Sequence, residues 1–235
     1  MEIYLSDTII IKEGKLYCDD KLVKKHNWHL KLNEIGWSKL NKHWISKLNK
    51  LHNPYKNNSL FGSLECGDDG DCLFHCIAAS LNSLNKDYYE SKDIRKQVAD
   101  SITIEQYNDI ISCYRSMKDL NDFDESWDPY EINNLEEFKI KVIESGNDYW
   151  GDYLLIQLLT QVFSINLFIL TQNELLDIYE PYPLAMKYNE NLPTIILIHE
   201  NELHFKLLGY FNDIMITYFT DDSLPIEIKK LFNLK

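Results

Sequence analysis

The chain has little arginine. Arg95 and Arg115 are the only two, and the other 22 basic residues are lysine. With abundant Asn, Ile and Tyr, this is the bias of an AT-rich genome, as in many large DNA viruses and intracellular bacteria. It reports on codons rather than chemistry. Long apolar runs are missing: none approaches the roughly 18 residues that would suggest a membrane-crossing helix. The opening residues MEIYLSDTIII carry Glu2 and Asp7 where a secretory signal would want positive charge. Cysteine is sparse and odd in number, at Cys18, Cys66, Cys72, Cys76 and Cys113. Without regular spacing it gives no disulfide framework. The expectation is a soluble protein of a reducing compartment such as cytosol, or host cytoplasm for a virus or bacterial effector. Internal repeats and low-complexity tracts are also missing.

Apolar residues make up 45% of the 235 positions, enough for a real core in one domain with additions or in two small ones. The net charge of −13 hides an asymmetry. Residues 1–60 hold 11 lysines against 6 acids, a balance of +5, which leaves −18 on residues 61–235. That acidic part repels nucleic acid and attracts basic partners.

Along the chain, residues 8–23 read as two short strands around a Glu13-Gly14 turn. Residues 35–51 read as an amphipathic helix, with Trp37, Leu40, Trp44, Leu48 and Leu51 at spacings of three and four. Its apolar face packs on the body or meets a membrane surface or partner. Residues 52–63 are a loop by composition. From Cys72 to about Leu84 the pattern is a mostly buried helix. Ser91 opens the next one, Thr103 and Gln106 match a capping box for a third, and residues 135–145 form a fourth that Gly146 can stop. Residues 118–134 are acidic and irregular. After the apolar helix that follows Trp150-Gly151 the period changes, and INLFIL, LLDIYE, TIILIH and HFKLLGYF read as strands. The division expected is 1–60 as an amino-terminal extension, 61–220 as the main domain and 221–235 as a carboxy-terminal tail.

The chemistry gathers in CGDDGDCLFHC. Cys72 stands at a loop-to-helix junction, where the positive end of the helix dipole favours thiolate. In the loop before it, Gly70 removes a Cβ that would block a substrate carbonyl, and the backbone N–H groups near Asp71 can bind an oxyanion. Asp69 can hydrogen-bond back and hold the loop's shape. Nearby acids oppose thiolate formation, so a histidine partner is needed. The competing readings are a merely buried cysteine and a zinc cluster of Cys66, Cys72, His75 and Cys76, for which no second paired-ligand motif follows.

DGDCLFH resembles the nucleophile motif of the ovarian-tumour (OTU) cysteine proteases, in which Asp-Gly-any-Cys precedes an apolar or aromatic pair and a basic residue. Trp150-Gly151 with its apolar helix and INLFIL resembles the family's middle block. IILIHENELHFKLL resembles its terminal hairpin. Together the three cover residues 66–211. The resemblance implies an α+β fold, with helices packed around a small, mostly antiparallel sheet, and a deubiquitinase that needs no metal or cofactor. It implies Cys72 as nucleophile, His204 rather than His199 as base, Asp69 as a further catalytic residue, and Gly70 and Asp71 in the oxyanion loop. Ubiquitin or ubiquitin-like conjugates are the implied partners. The ubiquitin tail, Leu-Arg-Leu-Arg-Gly-Gly, would thread the approach to Cys72, with Asp148, Asp152, Glu200 and Glu202 as candidate acids for its arginines; Trp150 is either a core aromatic or a wall of that cleft. One position departs from the pattern. Many members place Asp or Asn two residues after the histidine to orient it; here that residue is Lys206, which cannot accept a hydrogen bond. Asp69, Asn201 and Asp213 are the candidate replacements. The departure also leaves room for a weak or inactive ubiquitin-binding module.

Overall fold

The computed structural model describes residues 2–52, 60–67, 70–83, 88–123 and 125–234, with Asn147 described by its backbone alone. The loop expected over residues 52–63 falls mostly outside them, and so does Asp69.

The chain opens with a four-stranded antiparallel meander: β1 (Glu2–Tyr4), β2 (Ile9–Lys12), β3 (Lys15–Cys18) and β4 (Lys21–Leu22). The β2–β3 turn uses the left-handed region at both Glu13 and Gly14, as a tight hairpin demands. A short helix α1 (Trp28–Lys31) and a 3-10 turn (Leu32–Ile35) lead to β5 (Trp37–Lys39) and α2 (Lys42–His52). The single helix expected over residues 35–51 is therefore corrected to a strand followed by a helix. Gly36, at φ 86°, closes the 3-10 turn. Trp37 then pairs with Leu64 of β6 (Phe61–Leu64). Trp44 and Leu48 of α2 are buried against the main sheet, so this helix packs on the body.

A helical layer follows: α3 (Cys72–Asn82), α4 (Ser91–Ser101), α5 (Ile104–Asp119), α6 (Leu135–Ile143) and α7 (Tyr153–Val162). Thr103 and Gln106 form the expected capping box of α5. At α4 the box is made by Glu90 and Asp93, one residue earlier than Ser91. The strands come last: β7 (Asn166–Asn173), β8 (Ile178–Pro181), β9 (Thr194–Glu200), β10 (His204–Asn212), β11 (Ile214–Ile216) and β12 (Tyr218–Phe219), then helix α8 (Ile226–Leu231).

The main sheet runs β5-β6-β10-β9-β7-β8, with β11 on β10 and β12 on β9. Every pair is antiparallel except β7 with β9. Its central strands are apolar on both faces because both faces are covered. Ile195 and Leu197 face the helical layer, whereas Ile196 and Ile198 face α2 and α8. Each such fully buried side chain contributes roughly 1.5–3 kcal/mol of transfer free energy. Trp28 joins the meander to the sheet. It stacks on Phe211 and lies so close to Gly62 that any Cβ there would sit 2.6 Å from its ring. Among the described residues no helix is long and apolar enough to cross a membrane.

Candidate active site

Cys72 is the first residue of α3, and Asp71 is its N-cap. The thiol is buried, 6% exposed. Two groups from β10 meet it. The Phe205 backbone N–H donates to Sγ at 3.4 Å, and the His204 imidazole hydrogen-bonds it. The first contact follows from strand length: β6 pairs with β10 only as far as Leu64 opposite Leu207. The Phe205 amide lies past the end of that pairing and is left for sulfur.

The other face of His204 is held by a residue that no local pattern announced. Glu65 immediately follows β6, and its Oε1 pairs with Nε2 of His204. That leaves Nδ1 as the ring nitrogen for Cys72. The hydrogen bond with Cys72, and after it Glu65, push the His204 pKa up to about 9 against the opposing effect of burial. The imidazole is therefore held as a cation at neutral pH. Lys206, in the position where an acceptor was wanted, reaches Glu65 at 3.5 Å and Glu200 at 2.6 Å.

His199 is a different kind of histidine. Its Nδ1 is 2.6 Å from the Tyr153 hydroxyl, and its ring stacks on Phe205 at 4.2 Å. Burial, and then the charge on His204, lower its pKa to about 4. It is a neutral wall of the core, one residue away across the β9–β10 pair.

The loop before Cys72 is fixed from behind. Gly70 has φ 84°, a conformation that favours glycine. The Asp71 carboxylate does not face the thiol side of the loop. It pairs with Arg95 of α4, which is fully buried, and also accepts from Gly146 N–H at 3.2 Å. Arg95 further donates to the carbonyls of Val142 and Tyr149, at 3.0 and 2.8 Å, and lies over the Phe74 ring. A single side chain thus ties the Gly70-Asp71 turn to the segment carrying Trp150-Gly151. Gly151 is needed there, since a Cβ would come within 2.8 Å of both Leu73 and Phe74.

The structure separates the four acids proposed for substrate. Asp152 caps α7 through Leu154 N–H and accepts from the Tyr114 hydroxyl at 2.9 Å, and burial lifts its pKa to about 6. Glu200 is engaged by Lys206 and by Gln172. The assignment of these two to substrate gives way to roles inside the fold, because their oxygens already have partners. Asp148 and Glu202 are exposed, and Trp150 is 38% exposed. Trp150 donates its backbone N–H to Glu125, whose pKa burial raises to about 7. Asn201 and Asp213, considered as orienting groups, stand in turns with positive φ, and the position is taken by Glu65. Cys76, one turn beyond Cys72, is buried against the Phe205 carbonyl. Among the described residues no group of three or more His, Cys, Asp or Glu side chains is arranged to hold a metal ion.

Cys72, His204 and Glu65 are thus brought together from α3, β10 and the end of β6. The sequence profile of the OTU-like cysteine protease family matches residues 67–200, more than half of the chain. The chain belongs to that family. Curated protein sequences give no significant match. Solved structures similar to it include the Hazara virus OTU bound to ubiquitin. That match has 14% identity, covers 66% of this chain and 86% of that one, and has a TM-score of 0.42. An OTU deubiquitinase from Wolbachia pipientis wMel matches with 18% identity, coverage of 68% and 94%, and a TM-score of 0.45. The OTU domain of OTUD1 matches at 15% identity, with coverage of 72% and 94% and a TM-score of 0.45.

Proposed function

We propose that this protein is a cysteine-dependent deubiquitinase that cleaves bonds at the carboxy terminus of ubiquitin or a ubiquitin-like modifier. The observation that carries the reading is the row Cys72–His204–Glu65, assembled from α3, β10 and the end of β6 within a family of cysteine proteases. Cys72 attacks the carbonyl carbon of the terminal glycine as thiolate, while backbone N–H groups of the Gly70–Cys72 turn hold the developing oxyanion. The C–N bond breaks as the His204 imidazolium gives its proton to the departing lysine amine. Water then attacks the thioester, His204 takes its proton, and Cys72 leaves as thiolate. Glu65 holds the ring in the required orientation. The reading as an inactive binding module rested on Lys206 alone, and Glu65 removes its reason.

The test exposes the protein to ubiquitin bearing a carboxy-terminal electrophile. A covalent adduct is expected, lost in Cys72→Ala and nearly lost in His204→Ala. Tight binding without an adduct would instead support the binding module. Neither adduct nor binding would remove ubiquitin from the proposal.

A further inference from the structure

Resting on that reading, we infer that Lys206 is a positioning residue: by bridging Glu65 and Glu200 it holds the Glu65 carboxylate against His204. The cation standing where many family members place an acceptor is then a working part of this site, with the acceptor relocated to the neighbouring strand.

The geometry begins with strand register. Leu207 of β10 pairs with Leu64 of β6, so continuing the ladder by one residue sets Lys206 opposite Glu65. Across β9, His204 pairs with Glu200. Side chains directly opposite one another in an antiparallel sheet share a face, and residues two apart on one strand do as well. His204, Lys206, Glu65 and Glu200 therefore lie on one face near the end of β10, and their contacts run His204–Glu65–Lys206–Glu200 with alternating charge. Glu200 is fixed in turn by Gln172 of β7.

Glu65 needs that help. Its side chain is 49% exposed, and among the described residues its carboxylate meets His204 and Lys206. An exposed glutamate with one partner samples several rotamers, and holding it costs side-chain entropy. A second partner on the far side, itself anchored by Glu200, narrows that choice. Lys206 and Glu200 border a polar cleft of about 190 Å³, shared with Ser38, Asn41 and Ser63. Hydrated ion pairs there add little to global stability. The effect of Lys206 is therefore expected in turnover and in the state of His204, not in folding.

The arrangement also gives the segment before the family match a part in the site. The profile begins at residue 67, yet Glu65 is presented by β6, which β5 flanks and Trp28 packs against through Gly62.

The experiment compares Lys206→Met, Lys206→Arg, Lys206→Asp, Glu65→Ala and the double variant Glu65→Ala/Lys206→Asp in the full chain. Turnover of a ubiquitin substrate is measured alongside the His204 imidazole titration by NMR, which needs no substrate. Lys206→Met should lower kcat about tenfold, the effect of roughly one hydrogen-bonded charge pair, with KM little changed and the His204 titration moved to lower pH. Lys206→Arg should keep most of the wild-type rate. Lys206→Asp alone should be slow, since it sets a third carboxylate beside Glu65 and Glu200. The double variant should recover activity relative to Glu65→Ala, because Asp at 206 supplies the acceptor from the same strand as His204. An unmoved His204 titration in Lys206→Met would overturn the inference, and so would Lys206→Asp outpacing wild type. If ubiquitin is not a substrate at all, turnover is silent, but the titration still decides the role of Lys206.

Discussion

Arg95 and Asp71 form an ion pair in the interior, with Nε 2.7 Å from Oδ1, the arginine fully buried and the aspartate 4% exposed. Asp71 adjoins the nucleophile, so the pair fixes the helix start that presents Cys72. Removing one partner leaves the other charge buried and uncompensated. Arg95→Met should therefore cost about 3–5 kcal/mol of unfolding free energy. Arg95→Met/Asp71→Asn should cost less than Arg95→Met alone, because no uncompensated charge remains. Urea denaturation measures both. Equal losses would show that the carbonyl contacts of Arg95, rather than its charge pair, hold the loop.

The two partly buried carboxyls beside Trp150 make a claim about pH. Burial raises Glu125 from 4.5 to about 7 and Asp152 from 3.8 to about 6. Both folded-state values lie above the unfolded ones, so the fold prefers the protonated forms. Between about pH 4 and 7 the unfolded chain ionises these groups more readily than the folded one, and stability drains away as pH rises through that window. Glu125→Gln removes one of the two contributions. The stability of wild type relative to Glu125→Gln should fall steadily from pH 4.5 to 7 and level off above it. A difference that is flat with pH would mean that Glu125 is solvated.

Much of this was legible in the sequence, and the gaps have physical reasons. The helix from Cys72, the capping box at Thr103 and four of the six late strands, β7 to β10, are readable because period and end-chemistry are local. Residues 35–39 were misread because Trp37 keeps helical spacing with Leu40 and Trp44, and only Gly36 in the left-handed region breaks the run. Glu65 was invisible because its role comes from a register between strands about 140 residues apart. Arg95 offered a faint signal: one of only two arginines, adjacent to the apolar stripe of α4 at Ile94 and Val98. Counting charge alone could not separate Asp152, which caps a helix, from Asp148, which is exposed.

The two histidines of the terminal hairpin should behave oppositely. His199 is neutral, hydrogen-bonded to Tyr153 and stacked on Phe205. His199→Gln should keep most of the adduct-forming rate but lose about 1–3 kcal/mol of stability if the Tyr153 hydroxyl is left unpaired. His204→Gln should lose roughly 100-fold or more in rate, the usual worth of a positioned acid–base group. The reverse pattern would exchange their roles. Relative to His199→Gln, the stability of wild type should decline as pH falls from 6.5 towards 4. The unfolded chain protonates His199 there, and the fold, with its value lowered to about 4, does not.

Recognition of a tail with two arginines should depend on the acids that remain available. Glu200 is held by Lys206 and Gln172, and Asp152 by Tyr114 and the start of α7. Glu202 is exposed. It stands in the β9–β10 turn at φ 63°, beside Leu203, which is 63% exposed, and two residues from His204. An acid and a leucine side by side suit a peptide in which arginine and leucine alternate. Glu202→Gln should raise KM about two- to fivefold, the scale of an exposed ion pair, with kcat unchanged. Leu203→Ser should raise it as well. Glu200→Gln should act mainly on kcat, because it loosens Lys206 and through it Glu65. The contribution of Glu202 should fade with salt, since the Debye length shrinks from about 10 Å at 0.1 M to about 3 Å at 1 M. Steady-state kinetics against ionic strength, run on wild type and Glu202→Gln together, separates the terms. If the two salt curves are parallel, Glu202 does not meet the tail, and exposed Asp148 becomes the acid to test next.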